Sequence, residues 1–333
     1  MRLSAAAPIA AVAAALGVAA AMTAGGGDRL ARPGPPPKVF AFVSRVGGAE
    51  LARLERVGLR IDVIAPNWYT LDAATGKLVT PLRGESDALL DAARARRVRV
   101  WPTVNALTAG SRAWESAAVR ARIAASLRAA ARSPGVSGVT LDMEELRGDQ
   151  RAAFSALVRE AAASVHGAGR KLAVYVPRPG PVAGRAYDWR AISRAADLLL
   201  ASGYNEHWAG GPPGPVTTAA GFDVVVRQAL GSAGARKAVP VLAAFGYRWP
   251  AGGRGQLIST RHAERLGRGG RLRDGGDTVH YNSTARMRAQ ARAARAAGAR
   301  WIGLFSLGRE AEGFWKGMAT ARTHARAEAR ERR

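Results

Sequence analysis

Along this chain, short apolar runs alternate with longer segments in which apolar residues recur at helical spacing. The short runs are Lys38–Ser44, Leu59–Trp68, Val98–Val104, Val136–Asp142, Lys171–Val176, Leu198–Tyr204, Ala238–Phe245 and Trp301–Leu307. The helical candidates are Ala49–Val57, Ser86–Arg96, Ala117–Ala131, Asp149–Ala168, Trp189–Ala196, Phe222–Ser232, Thr284–Ala297 and Ala311–Ala319. Strands that are apolar on both faces belong in a buried parallel sheet with helices packed outside it. Eight strand–helix units in succession predict an α/β protein with a (β/α)8 TIM barrel, a fold of about 250 residues. A doubly wound open sheet is the alternative, but no G-x-G-x-x-G follows the first strand, where a dinucleotide-binding version would want it. Residues Gly252–Asp277, rich in glycine and arginine, interrupt the alternation after the seventh strand. They predict an insertion on the side where the strands end, with a small hairpin.

Composition adds the compartment and narrows the chemistry. The 333 residues are 48% hydrophobic and 23% charged, an ordinary globular balance that supports one large domain. Cysteine is absent, which excludes a disulfide framework, a thiolate metal site and a cysteine nucleophile. His166, His207, His262, His280 and His324 are scattered without H-x-H or H-x-x-x-H spacing. No metal or other cofactor is expected from them, and nothing has the form of a nucleophile elbow. Arg2 followed by an uncharged, alanine-rich stretch predicts a signal peptide or an N-terminal membrane anchor over residues 1–27, with Ala19-Ala20-Ala21 as a cleavage site. A proline-rich linker (28–37), the barrel (38–320) and a basic tail (321–333) follow. The product is expected to be secreted or held at the cell envelope as a monomer.

The formal net charge of +25 favours polyanionic partners. The arginines are spread through the helical segments and no nucleic-acid motif accompanies them. For an exported chain, anionic cell-wall polymer is the more economical partner than nucleic acid. A solvated basic surface without a specific partner is the other reading.

The densest chemistry lies in Ser137-Gly138-Val139-Thr140-Leu141-Asp142-Met143-Glu144-Glu145. In a strand, side chains alternate faces, so Thr140, Asp142 and Glu144 share one face and Val139, Leu141 and Met143 the other. Acids on the inner face of a buried strand are costly unless they have work to do; a loop start and a cap are the plainer alternative. In a barrel, the strand ends converge on one mouth. There they bring Asn67-Trp68-Tyr69, Thr103-Val104-Asn105, Tyr204-Asn205-Glu206-His207-Trp208 and Tyr247-Arg248-Trp249 beside the acids. Flat rings, amides and carboxylates together suit a sugar site.

These segments resemble glycoside hydrolase family 18, the chitinase-like family, and within it the bacterial cell-wall and spore-type branch. The family's strand-four motif D-x-x-D-x-D-x-E is matched by Ser137 to Glu144, with Asp142 and Glu144 in the last two acidic positions and Ser137 and Thr140 in the first two. Gly203-Tyr204-Asn205, Val239 to Tyr247, and Gly303-Leu304-Phe305-Ser306-Leu307-Gly308 followed by Trp315 resemble the elements of strands six, seven and eight. The likeness implies a retaining, substrate-assisted hydrolase of β-1,4-linked N-acetylated amino sugars, in peptidoglycan or in polymers of the chitin and poly-N-acetylglucosamine type. Glu144 would be the proton donor, Asp142 would orient the substrate's acetamido group, and Tyr204 would bind the acetamido oxygen. Asn205, Thr140, Trp68, Asn105, Glu206, His207, Trp208, Tyr247, Trp249 and Phe305 are the expected sugar contacts. Thr140 replaces an acid and Phe305 a tryptophan of the family pattern, which implies a slower or differently tuned site. Two other readings stand beside the enzyme. One is a non-catalytic barrel that binds cell-surface glycans through Trp68, Trp208 and Trp249. The other is a basic protein of nucleic acid or membrane surfaces, which would lose binding in modest salt.

Overall fold

The computed structural model describes residues 35–79, 86–108, 110–180 and 183–316, together with 318, 320, 322–324 and 327. The expected export segment lies outside the described residues, as do most of the linker and most of the basic tail.

Eight parallel strands close into a barrel: Lys38–Val43, Val63–Leu71, Thr103–Leu107, Gly138–Glu144, Lys171–Val176, Leu198–Ser202, Ala238–Ala243 and Trp301–Phe305. Closure is made by the first strand pairing with the last, Lys38 opposite Trp301 and Ala41 opposite Leu304. The third strand comes in two pieces, Arg99–Val100 and Thr103–Leu107. Pro102 separates them, because proline has no N–H to give to a ladder.

Strand parity divides the core into two layers. Val139, Leu141, Met143, Leu172, Val174 and Leu199 face outward and pack on Ile123, Leu127, Phe154 and Leu157 of the surrounding helices. Phe40, Phe42, Trp101, Ala173, Tyr175, Leu200 and Val241 face inward and fill the barrel. Each fully buried large side chain contributes about 1.5–3 kcal/mol of hydrophobic free energy. Gly138 opens the fourth strand because a Cβ there would lie 2.7 Å from the Trp101 ring.

Helices Gly48–Val57, Ser86–Ala95, Ala117–Ala131, Arg151–His166, Trp189–Ala195, Ala219–Lys237 and Thr284–Ala296 surround the strands. Ser116, Asp188, Thr218 and Ser283 cap four of them with side-chain oxygens. The helix expected over Phe222–Ser232 starts earlier, at the Thr218 cap, and is broken by Gly234 in a left-handed conformation. The helix expected over Ala311–Ala319 is a single 3-10 turn, Glu312–Trp315. Phe314 and Trp315 of this turn are both buried, their rings edge to face at 5.0 Å. Gly313 further weakens helical continuation.

The insertion is larger than Gly252–Asp277. Phe245, expected at the end of the seventh strand, instead opens a separate antiparallel sheet. Its strands are Phe245–Trp249, Gln256–Ser259, Arg271–Asp274 and Asp277–Tyr281, with the short helix Thr260–Leu266. Its tightest hairpin turns at Gly275-Gly276, both at positive φ as a two-residue loop requires.

One buried ion pair fastens the end of the eighth strand to the first helix. Arg53 Nε lies 3.2 Å from Glu310 Oε1, with side chains 3% and 0% exposed. Glu310 also accepts from Trp315 Nε1 and from the Gly308 N–H, each at 2.8 Å. Burial pushes the Glu310 carboxyl up in spite of these partners. Removing one member leaves the other charge buried and unpaired, which costs about 3–5 kcal/mol. Arg53→Met is therefore expected to lower unfolding free energy by about that amount in urea titration; a loss below about 1 kcal/mol would show that the pair is not a structural tie.

Candidate active site

The fourth strand ends at the barrel mouth with Thr140, Asp142 and Glu144 on its inner face, opposite the outward Val139, Leu141 and Met143. Parallel register sets Asn105 of the third strand beside Asp142, and the Asn105 amide donates to Asp142 Oδ2 at 3.4 Å. Asp142 is 7% exposed, and its Oδ1 is buried with no hydrogen-bond partner. The Glu144 carboxyl makes no hydrogen bond with any described residue. Glu145 then adopts φ 61°, which turns the chain out of the strand.

These groups line a pocket of about 200 Å³. Asp142, Glu144, Asn105, Tyr204, Asn205, Tyr247 and Phe305, all expected from the sequence, meet there. Burial, and then the nearby Glu144 charge, push the Asp142 carboxyl well above its ordinary range; the Asn105 amide opposes this only in part. Burial, and then the Glu145 charge, raise Glu144. Burial raises the phenols of Tyr175 and Tyr204 as well, so both keep their protons at neutral pH and can donate. The Tyr247 hydroxyl donates to Asn205 Oδ1 at 3.1 Å, which leaves the Asn205 NH2 free. Asn205 itself sits at φ 65°, a conformation that asparagine tolerates better than most residues. Phe42, Tyr204, Phe245 and Phe305 form a continuous aromatic wall, with neighbouring ring centroids 5.4–5.9 Å apart.

Six expected contacts are placed differently. Thr140 is wholly buried below the pocket, and its hydroxyl donates to the Trp101 carbonyl at 3.1 Å, not to Asp142. The break at Pro102 frees that carbonyl. Trp68 packs outward among Leu89, Ala93 and Val100, because Val63, Ala65 and Asn67 hold the inward parity of the second strand. Glu206 accepts from Thr218 N at 2.7 Å and from its hydroxyl, at the N-terminus of helix Ala219–Lys237. A Cβ on Gly221 would collide with that carboxylate at 1.9 Å. The His207 Nδ1–H donates to the Pro212 carbonyl at 3.0 Å, a rim bond. Trp208 is 51% exposed and lies outside the pocket wall. Trp249 is buried, and its indole donates to the Gly211 carbonyl at 3.2 Å, tying the loop after the sixth strand to the insertion.

Asn67, Thr103, Tyr175, Phe42 and Phe245 also line the pocket; Asn67, Thr103 and Phe245 lie in strand-end segments expected at the mouth but were not among the expected sugar contacts, and Phe42 and Tyr175 were not expected there. Parity carried the signal for the first three: Asn67 follows Val63 and Ala65, Thr103 precedes Asn105, and Tyr175 follows Ala173 on inner faces. Among the described residues, no group of three or more His, Asp or Glu side chains is gathered to hold a metal ion.

No protein-family model matches the chain. A curated relative, a candidate sporulation-specific glycosylase named YdhD from Bacillus subtilis, is 24% identical over 173 residues, 49% of this chain. The match covers 41% of that relative's length. Among solved structures, a chitinase from Chromobacterium violaceum aligns with a TM-score of 0.73 at 24% identity, covering 84% of this chain and 97% of the other. The spore cortex-lytic enzyme SleL of Bacillus megaterium aligns with a TM-score of 0.72 at 17% identity, covering 85% of this chain and 74% of the other. The chain therefore shares the (β/α)8 fold of chitinases and spore cortex-lytic enzymes.

Because the adjacent Glu145 charge adds to burial in raising Glu144, Glu145→Gln is expected to lower the Glu144 pKa. Carboxyl-carbon NMR titration reads this directly; an unmoved or rising midpoint would assign the shift to burial alone.

Proposed function

We propose that the protein is an exported glycoside hydrolase of family 18 type that cleaves β-1,4-linked N-acetylated amino-sugar polymers, in peptidoglycan or of the chitin class. The observation that carries this is an unbonded, half-buried Glu144 above a buried Asp142 with a free oxygen, inside an aromatic-walled pocket. The fold shared with chitinases and a cortex-lytic enzyme supports it. The alanine-rich N-terminal stretch supports export, and the envelope is where such polymers are met.

The chemistry follows from the groups present. Burial raises the Glu144 carboxyl above the ordinary glutamate range, which favours the protonated form that a proton donor needs. Glu144 delivers its proton to the glycosidic oxygen as the bond from that oxygen to the anomeric carbon breaks. The substrate's own acetamido carbonyl oxygen bonds to the anomeric carbon, giving an oxazolinium ion, so the protein needs no second carboxylate as nucleophile. Asp142 Oδ1 accepts the acetamido N–H and so orients the acetamido oxygen toward the anomeric carbon. Tyr204 donates to the acetamido oxygen, and the Asn205 NH2 takes a ring hydroxyl. Water then bonds to the anomeric carbon as the bond from that carbon to the acetamido oxygen breaks, which restores the acetamido group, and the water's proton passes to Glu144. Thr140, bound to the Trp101 carbonyl, relays nothing to Asp142, and this favours slow turnover over fast. It is also the observation behind the second reading, a glycan-binding barrel without catalysis.

Turnover of N-acetylglucosamine oligomers and peptidoglycan by residues 38–333 tests both. Glu144→Gln is expected to reduce kcat by about 10²–10⁴-fold while sugar binding persists. No cleavage by either protein with equal binding by both would leave the binding barrel. Tyr204→Phe is expected to cost about 10²-fold in kcat with little change in KM; wild-type rates would remove Tyr204 from the mechanism. The profile of kcat/KM against pH should fall on its alkaline side as Glu144 loses its proton. Because the folded pKa is raised, that limb lies above the range of an ordinary glutamate. A limb at the ordinary glutamate position would count against Glu144 as the acid.

A further inference from the structure

Beside the catalytic pocket, a second cavity of about 440 Å³ opens between the barrel mouth and the insertion. Ser44 and Leu257 belong to the walls of both. Arg45, Arg261 and Arg309 line it, and their guanidinium groups make no hydrogen bond or ion pair with any described residue. Arg248 also lines it but is answered by Asp274, at 2.9 Å, and by Asp277. Glu50 is the one acid in the wall, close enough to act on Arg309 but not paired with it. Among the described residues, Glu50 offsets the charge of the three arginines only in part, and the cavity carries a net positive charge.

Three further observations point to a ligand. Arg309 is partly buried, and burial lowers its pKa although Glu50 acts against this, so its charge stands in a desolvated place with no hydrogen bond or ion pair among the described residues. It also acts on Tyr247, which belongs to the catalytic pocket. The hydroxyls of Ser44 and Ser306, both in this wall, have no hydrogen-bond partner.

We infer that this cavity is a subsite for a carboxylate carried by the glycan on a sugar next to the one held at Glu144, with Arg309 as its principal contact. This rests on the pocket being a glycan site. A guanidinium fork takes a carboxylate in two parallel hydrogen bonds, and desolvation strengthens both. Arg45 and Arg261 add attraction at the rim. The substrate favoured is then an amino-sugar polymer bearing acids, not a neutral one.

Calorimetry on Glu144→Gln protein, which does not consume its ligand, is the test. The probes are neutral chitotetraose, a peptidoglycan tetrasaccharide with lactyl carboxylates, and the methyl ester of the latter. The carboxylated sugar is expected to bind at least about tenfold tighter than the other two, the worth of one charge-assisted bond. Adding Arg309→Gln should bring that ratio close to one, and Arg309→Lys should restore part of it. Equal binding of acid and ester, or a ratio unmoved by Arg309→Gln, overturns the subsite while the glycan pocket stands. No binding of any probe overturns the glycan reading and the subsite with it. An oligomer alternating N-acetylglucosamine with glucuronic acid separates the sources of the acid. Preference for it over chitotetraose extends the subsite to uronic acids, and a preference confined to the peptidoglycan fragment assigns it to the lactyl ether.

Discussion

The site depends on strand parity inside a closed barrel. Once the fourth strand is paired on both sides, every second residue must face the interior, and Val139, Leu141 and Met143 claim the outer, helix-facing side. Asp142 and Glu144 are thereby forced inward. A one-residue slip would bury the acids against the helices and expose the aliphatic residues, so the hydrophobic layer holds the carboxyls in register. Their raised pKa values are a consequence of that placement: burial is the leading cause for both.

The insertion completes what the barrel leaves open. Phe245 and Tyr247 extend from the end of the seventh strand as alternate residues of the new sheet, and their rings continue the wall begun by Phe42, Tyr204 and Phe305. Trp249, one step further along the same face, reaches the Gly211 carbonyl and holds the loop after the sixth strand. The Tyr247–Asn205 hydrogen bond then fixes an amide that sits on that loop in a left-handed conformation. Two loops that are far apart in sequence thus act as one wall. The same insertion forms the far side of the arginine-lined cavity, so the carboxyl-bearing pocket and the charged cavity are built by one element.

Much of this was legible in advance. The period of the apolar runs marked all eight strands, and the D-x-E at the end of the fourth marked the carboxyls. The aromatic residues were misjudged where residue type was weighed above parity. Trp68 was favoured as a flat ring at a strand end, yet Asn67 holds the inward position. Glu206, His207 and Trp208 were grouped with Tyr204 and Asn205 by proximity in sequence, but the chain turns at Asn205. Beyond the turn, Glu206 is used to cap a helix and His207 to bind a loop carbonyl.

The sequence by itself determined the barrel, the order of its elements and the strand carrying the acids, because these follow from local periodicity and from the need to bury apolar faces. Only the tertiary structure decided which side chains share the pocket, that Thr140 is committed to the Trp101 carbonyl, and that three arginines from separate segments line one cavity beside it. Those facts depend on distances between residues far apart in the chain. No local pattern encodes them, because closure and the packing of the insertion set them together.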